Sequence, residues 1–204
     1  MSTRAIPTLT GAVEGDIDSA VLRRLADTVG LLSPIIHVKS GKTDLRNCIV
    51  GYNSAAQHER WCVLVDLDHE AECAPNLRES WLPSPSPLMC FRVVVREIEA
   101  WILSDRERIA EFLYIPVNKV PQYPEQVDDP KQTLVNLARR SRKRSIREDI
   151  VPRPGSGREL GPAYNTSLIR FVSNLSSGWR PGIAANRSDS LRRCLERLSE
   201  LANA

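Results

Sequence analysis

Long apolar runs are missing from this 204-residue chain, and no stretch approaches the roughly 20 residues that a transmembrane helix needs. The N-terminal segment also has no apolar core of signal-peptide length. These two absences favour a cytoplasmic protein without a membrane span. The composition, 42% hydrophobic and 26% charged, is ordinary for a globular protein with one large domain.

Paired cysteines are missing as well. The five cysteines are scattered singly, and the chain contains no CxxC motif. An odd number of cysteines without close spacing argues against a disulfide framework and against a zinc site. We therefore expect reduced thiols, mostly in the core. The three histidines are isolated too, and a net charge of +3 is too small to indicate a nucleic-acid partner by itself.

Three nucleotide or phosphate motifs fail on inspection. The stretch SGKTD resembles the end of a phosphate-binding loop, but Ile36 stands where that loop requires its first glycine. The glycines of GSGRELG are one residue out of step with a dinucleotide fingerprint. A haloacid-dehalogenase motif would not have Glu70 in its fifth position. The chemistry of this protein therefore has to come from other residues.

Four strand-like segments alternate with helical patterns up to about residue 105, which is typical of an α/β fold with a parallel sheet between helices. A proline-rich connection then leads into helical patterns. We predict an α/β core over residues 1–115 and a helical C-terminal part over 116–204 that packs on it. The predicted strands cover 4–15, 34–42, 61–66 and 91–97. The predicted helices cover 16–30, 44–59, 74–82, 98–105, 105–113, 131–143, 163–175 and 188–202.

Acidic residues follow three of the predicted strands, at the edge of the sheet where parallel α/β proteins bind ligands. Glu14 follows the first strand, Asp66 and Asp68 end the third, and Glu97 and Glu99 follow the fourth. Neighbouring strands would bring these side chains within roughly 5–10 Å of one another. Because clustered carboxylates repel one another, a hard cation such as Mg²⁺ or Mn²⁺ would stabilise them. The pattern indicates phosphoryl or phosphodiester chemistry.

Each acid also has a simpler interpretation. A single acid at a strand end is more often a helix cap or a turn former, and this applies to Glu14 and Asp66 taken alone. Glu99 could equally be an exposed helix residue, and Glu70 and Glu72 fit the solvated start of a helix. The occurrence of three acidic strand ends in one sheet is what favours the metal site.

A dense basic segment lies in the C-terminal part. Six of the nine residues from 139 to 147 are basic, namely Arg139, Arg140, Arg142, Lys143, Arg144 and Arg147. A segment of this density can neutralise phosphates and bind nucleic acid in a salt-dependent way. A solvated helix face, or a surface docked on an acidic partner, would explain it equally well.

Taken together, AVEGDIDSAVLRRL, VLVDLDHE and VVREIEAWILSD resemble a TOPRIM domain. Nearly the whole chain is similar to a bacterial TOPRIM-like family of unknown function, often encoded beside an AAA-type ATPase in suspected phage-defence loci. The further matches are Glu99 to Asp105, Gly161 to Tyr164 and Ser188 to Leu195. One departure is Ala71, which stands where many TOPRIM domains have a glycine after their two aspartates.

The resemblance implies a TOPRIM-like fold in which Glu14, Asp66 and Asp68 bind Mg²⁺ or Mn²⁺. Glu97 or Glu99 would complete the site, and nucleic acid would be the substrate. It also implies an AAA-type ATPase as a partner, and the chain could form a homo-oligomer. A non-catalytic sensor or toxin-like subunit with a degenerate site is the alternative, and a primase or nucleotidyltransferase is a third hypothesis.

Overall fold

The computed structural model describes residues 6–68 and 73–204. Within them, four parallel strands form one sheet in the order β2-β1-β3-β4. The prediction of an α/β fold with a parallel sheet between helices is confirmed. The strands are β1 (Thr8–Val13), β2 (Leu32–Val38), β3 (Trp61–Asp66) and β4 (Met89–Val94).

Ten α-helices are present in the same part of the chain, and α1 to α3 alternate with the strands. Short 3-10 turns separate some of the later helices. The helices are α1 (Asp16–Thr28), α2 (Lys42–Ala55), α3 (Ala74–Trp81), α4 (Ile98–Ser104), α5 (Arg106–Leu113), α6 (Pro130–Arg139), α7 (Arg144–Ile150), α8 (Tyr164–Ser173), α9 (Pro181–Ala184) and α10 (Asp189–Asn203).

The sheet separates two hydrophobic cores, because alternate side chains of each strand point to opposite faces. On one face, Leu9 and Leu64 pack with α1 and with helices of the C-terminal part. On the other face, Val63 and Phe91 pack with residues of α2 and α3. The result is a three-layered arrangement whose carboxyl-terminal strand ends lie at one edge of the sheet.

The C-terminal helices share the first of these cores. Helix α1 packs against α8, and α10 packs against β4. The indole of Trp179 donates a hydrogen bond to the carbonyl of Trp101 at 3.1 Å, and both residues are fully buried. The predicted packing of residues 116–204 on the core is therefore visible, while the division at residue 115 stays a prediction.

Several predicted boundaries differ from the structure: β1 is shorter than the predicted 4–15, β2 ends at Val38 instead of 42, and α2 begins at Lys42 instead of 44 and ends at Ala55 instead of 59.

Two further differences affect the site and the basic segment. The fourth strand ends at Val94 instead of Glu97, because Arg96 adopts a left-handed conformation with φ of 66°. The helix predicted over 131–143 ends at Arg139 and restarts at Arg144. The Ser141 hydroxyl accepts a hydrogen bond from the Lys143 backbone at 3.0 Å and so stabilises the intervening turn.

Among the described residues, no helix combines the length and the apolar character that crossing a membrane requires.

Candidate functional site

The first and third strand ends meet through Glu14 and Asp66. Glu14 follows β1, and its Oε1 atom accepts a hydrogen bond from the backbone N–H of Asp66 at 3.0 Å. Asp66 is the last residue of β3, which pairs directly with β1. Two acids that lie 52 positions apart in the sequence are thus neighbours, as the strand-end argument predicted.

Glu99 lies in the same group of acids as Glu14 and Asp66, which we call the acidic cluster. It is almost completely buried, with 1% of its surface exposed. It lies in the first turn of α4, directly after β4. Its Oε1 atom accepts a hydrogen bond from the Tyr164 hydroxyl at 3.0 Å. The interpretation of Glu99 as an exposed helix residue is therefore wrong, because α4 packs into the core on all sides.

Glu97 connects the acidic cluster to α6. Its carboxylate accepts the Lys131 backbone N–H at 3.0 Å and the Lys131 ammonium at 3.1 Å. The first of these bonds satisfies an amide in the first turn of α6, which has no partner inside the helix. Glu97 therefore anchors α6 at the strand ends and places one positive charge beside the acids.

Asp68 lies differently from the sequence-based expectation. An extended chain would point Asp66 and Asp68 in the same direction. Strand β3 instead ends at Asp66, and the backbone of Asp68 adopts the left-handed conformation with φ of 49°. The Asp68 carboxylate is 2.8 Å from the ammonium of Lys42, at the start of α2. Leu67 between them is buried, as predicted, while Glu70, Ala71 and Glu72 fall outside the described residues.

Asp18 is a member of the cluster that sequence reasoning missed. It lies in the first turn of α1, and burial together with the charges of Glu99 and Glu14 raises the pKa of Asp18 to about 7. The signal was present in the sequence EGDID, because Asp18 follows Glu14 by four positions at the start of a helical pattern.

The burial and mutual repulsion of the carboxylates favour the binding of protons or cations in the acidic cluster. Burial and the charges of Asp18 and Glu99 raise the pKa of Asp66 well above its usual value. Burial also raises the pKa of Glu99, against the opposing effect of Lys131. Although burial lowers the pKa of Lys131, the carboxylates of Glu99 and Glu97 outweigh it and raise this pKa. Lys131 therefore stays protonated near the acids.

The carboxylate oxygens of the acidic cluster are suitable ligands for a hard cation. The Oδ1 atom of Asp66 and the Oε2 atom of Glu99 are buried and have no hydrogen-bond partner among the described residues. Unpaired carboxylate oxygens are costly in a protein interior, and they are the ligands that Mg²⁺ prefers. The carboxylates do not form a group with all ligand atoms within 4.8 Å in the described part of the chain, so the predicted metal ligation by Glu14, Asp66 and Asp68 stays a prediction.

The raised pKa of Asp18 predicts a pH-dependent stability. A carboxyl group whose pKa is raised from 3.8 to about 7 by folding stabilises the folded state below pH 4, and this contribution is lost as the pH rises through 7. Thermal unfolding in EDTA should therefore show a melting temperature that falls between about pH 4 and pH 7, and Asp18→Asn should flatten this dependence. The matched control is Asp128→Asn, since the Asp128 side chain is 90% exposed. An unchanged slope in Asp18→Asn would contradict the prediction.

The basic segment lies at the other end of α6. Arg139, Arg140, Arg142, Lys143 and Arg144 are exposed, and Arg147 is partly buried. Arg147 donates to the Ser141 carbonyl and Arg144 pairs with Glu148, so these two are already engaged within the protein. Lys131 and Arg139 are eight positions apart in one helix, which places them about 12 Å apart along its axis.

Three of the five cysteines lie together in the core, although they are far apart in the sequence. The sulfur atoms of Cys62, Cys90 and Cys194 lie within 4.8 Å of one another, and all three residues are buried. Hydrogen bonds to the other two thiols raise the pKa of Cys62, and burial raises it further. The prediction of core thiols is confirmed for these three residues.

Comparison with known proteins gives no relative. No family model, no curated protein and no solved structure matches the chain. Function must therefore be inferred from the residues and their arrangement.

Proposed function

We propose that the protein is a metal-dependent nuclease of TOPRIM type, acting on phosphodiester bonds of DNA or RNA. The observation that carries the proposal is the gathering of acids from three strand ends and α1 around two buried carboxylate oxygens, on Asp66 and Glu99, for which the described residues supply no hydrogen-bond partner. Natural proteins rarely bury such groups without a functional reason. The resemblance of the strand-end motifs to TOPRIM domains supports the same conclusion.

Mg²⁺ or Mn²⁺ would be held by Glu14, Asp66 and Asp68, with Glu97 or Glu99 completing the site. When bound, such an ion polarises a phosphoryl oxygen and lowers the pKa of a coordinated water. The protein places Asp18 beside this site. In the metal-free protein, burial and the charges of Glu99 and Glu14 raise the pKa of Asp18 to about 7, so Asp18 can hold a proton there and give it up when a cation binds. Tyr164 fixes the orientation of the Glu99 carboxylate through its hydrogen bond.

Helix α6 offers a physical connection between the acidic cluster and the substrate backbone. Its first turn is anchored at Glu97, and the exposed basic segment begins in its last turn. The basic segment begins about 12 Å along this helix from Lys131, whose ammonium contacts Glu97. Arg139 to Lys143 would therefore contact the same strand that the acidic cluster cleaves. An AAA-type ATPase partner and a role in phage defence belong to the proposal through the family resemblance alone.

The test is cleavage of single-stranded and double-stranded DNA and RNA in Mg²⁺ or Mn²⁺. We expect hydrolysis that disappears in EDTA and in Asp66→Ala, with Asp128→Ala as an exposed control. Since Asp66 makes no side-chain hydrogen bond through Oδ1 among the described residues, its removal should not unfold the protein. Cleavage that survives Asp66→Ala would refute the site. The absence of cleavage together with the absence of metal binding would favour a non-catalytic partner subunit.

A further inference from the structure

A cavity lies at the outer edge of the sheet, beside β4 and away from the end of β1. It has a volume of about 400 Å³ and lies between α3, β4 and the first turn of α10. We call it the edge cavity. Apolar side chains such as Leu67, Pro75 and Phe91 contribute to its walls, and four arginines line it, namely Arg78, Arg92, Arg96 and Arg193. An apolar cavity of this size with a few charged groups is typical of small-molecule sites.

Some backbone groups of β4 point toward the edge of the sheet where this cavity lies. The carbonyls of Leu88 and Val94 accept hydrogen bonds from the N–H groups of Trp61 in β3 and of Leu67 directly after it. In a parallel ladder, the N–H and C=O groups of alternate residues point to the same side. Those of Phe91 and Val93 therefore point away from β3, toward the outer edge, and both residues line the cavity.

Side chains of the protein cover both ends of this edge but not its middle. Arg197 donates to the Met89 carbonyl at 3.2 Å, and the Val95 N–H donates to the Ser190 hydroxyl at 3.5 Å. Within the described part of the chain, no hydrogen bond reaches the outward groups of the two middle residues. A ligand with hydrogen-bonding groups would therefore find unpaired partners on these two residues of the cavity wall.

The acids that line the cavity are already engaged. Glu125 accepts the Ser188 hydroxyl at 2.7 Å and the Asp189 N–H at 3.1 Å, and so caps the start of α10. The Asp189 carboxylate in turn accepts Arg193 at 2.7 Å and also Arg192. These carboxylates are therefore committed to holding α10 in place.

The positive charges of the other three arginines, Arg78, Arg92 and Arg96, are compensated less well than that of Arg193. The Nε atom of Arg92 is buried and has no hydrogen-bond partner among the described residues. Arg96 reaches Asp128 at 3.9 Å, and that carboxylate is 90% exposed, so the pair is weak. The ion pairs within the described residues include none for Arg78. The cavity consequently favours an anion.

We propose that the edge cavity binds a mononucleotide. Its phosphate would contact the guanidinium groups of Arg78, Arg92 and Arg96, which are suited to bidentate phosphate binding. Its base would lie against the apolar wall and exchange hydrogen bonds with the backbone of Phe91 and Val93, because the edge of a nucleobase presents neighbouring donors and acceptors. This site is separate in its residues from the acidic cluster and goes beyond the proposed nuclease function.

The test is calorimetric titration of the full chain with AMP, ATP, GTP and inorganic phosphate, in EDTA so that the acidic cluster binds no metal–nucleotide complex. We expect a nucleotide to bind at least tenfold more tightly than phosphate. The double variant Arg78→Gln/Arg96→Asn should weaken this binding at least tenfold. Asparagine is chosen at position 96 because it tolerates the left-handed backbone there. Lys119→Gln/Arg170→Gln, which removes two exposed charges elsewhere, should bind as the unmodified protein does.

Three outcomes would overturn the proposal: no nucleotide binding at millimolar concentration, equal binding of phosphate and nucleotides, or an equal loss of affinity in both double variants. Circular dichroism and thermal melting of each variant show whether a loss reflects unfolding. Asp66→Asn separates this site from the nuclease proposal, since it should abolish cleavage and leave nucleotide affinity unchanged. The two proposals can therefore fail independently.

Discussion

Replacing Glu99 with glutamine should lower metal-dependent cleavage at least 100-fold and leave the protein as stable as before or more stable. Removal of one preorganised charged group from an active site commonly costs two to three orders of magnitude in rate. Glutamine has the same shape as glutamate and retains an oxygen that can accept the Tyr164 hydroxyl. The substitution therefore removes the charge and keeps the packing.

The stability of Glu99→Gln follows from the burial of Glu99. A carboxylate that is 1% exposed beside other acids is costly to hold in its charged form. Neutralising it relieves that cost, and the free energy of unfolding in urea should rise by up to about 2 kcal/mol, as at other sites where function opposes stability. A variant that is more stable and less active is the expected signature of a functional residue.

The matched control is Glu111→Gln, because Glu111 is exposed and pairs with Arg108 on the surface of α5. It should change neither cleavage nor stability appreciably. The competing view is that Glu99 only holds Tyr164 in place. That view predicts normal cleavage in Glu99→Gln, since the hydrogen bond survives, and normal cleavage would refute a functional role for the Glu99 charge.

Much of this arrangement could be predicted from the sequence, because short apolar strands end at acids. Glu14 and Asp66 are neighbours for the reason that the sequence suggests: the carboxyl ends of parallel strands lie at one edge of the sheet. Leu67 is buried next to them, again as predicted. These features depend on local alternation and on the parallel direction of the strands, which the sequence pattern indicates, whereas the order β2-β1-β3-β4 in the sheet comes from the structure alone.

Other parts of the site depend on tertiary packing that local patterns do not show. Lys131 and Tyr164 reach the acids from helices that lie 34 and 65 positions away from their partners. Asp68 turns toward Lys42 because its backbone is left-handed, which a strand-like sequence did not indicate. Likewise, a search for close spacing could not find the group of three buried thiols.

The largest stability effect is expected at Arg180, which connects the C-terminal part to the start of α5. Asp105 is fully buried, and it accepts the Arg180 backbone N–H at 2.9 Å and the guanidinium at 2.9 and 2.6 Å. Arg180→Ala would leave the Asp105 charge buried without its cation. Breaking a buried pair in this way costs 3–5 kcal/mol in general, and we expect about 3 kcal/mol because the Arg180 side chain is 37% exposed.

Urea unfolding, followed by the fluorescence of the buried Trp179 beside the pair, measures this effect. Arg192→Ala is the matched control, because Arg192 also forms two ion pairs but with exposed partners, and its loss should cost less than about 1 kcal/mol. Adding Asp105→Asn to Arg180→Ala should recover part of the loss, since it removes the uncompensated charge. If Arg180→Ala cost no more than Arg192→Ala, the pair would not stabilise the docking of the C-terminal helices, and the hydrophobic contacts of Trp101 and Trp179 would have to hold them instead.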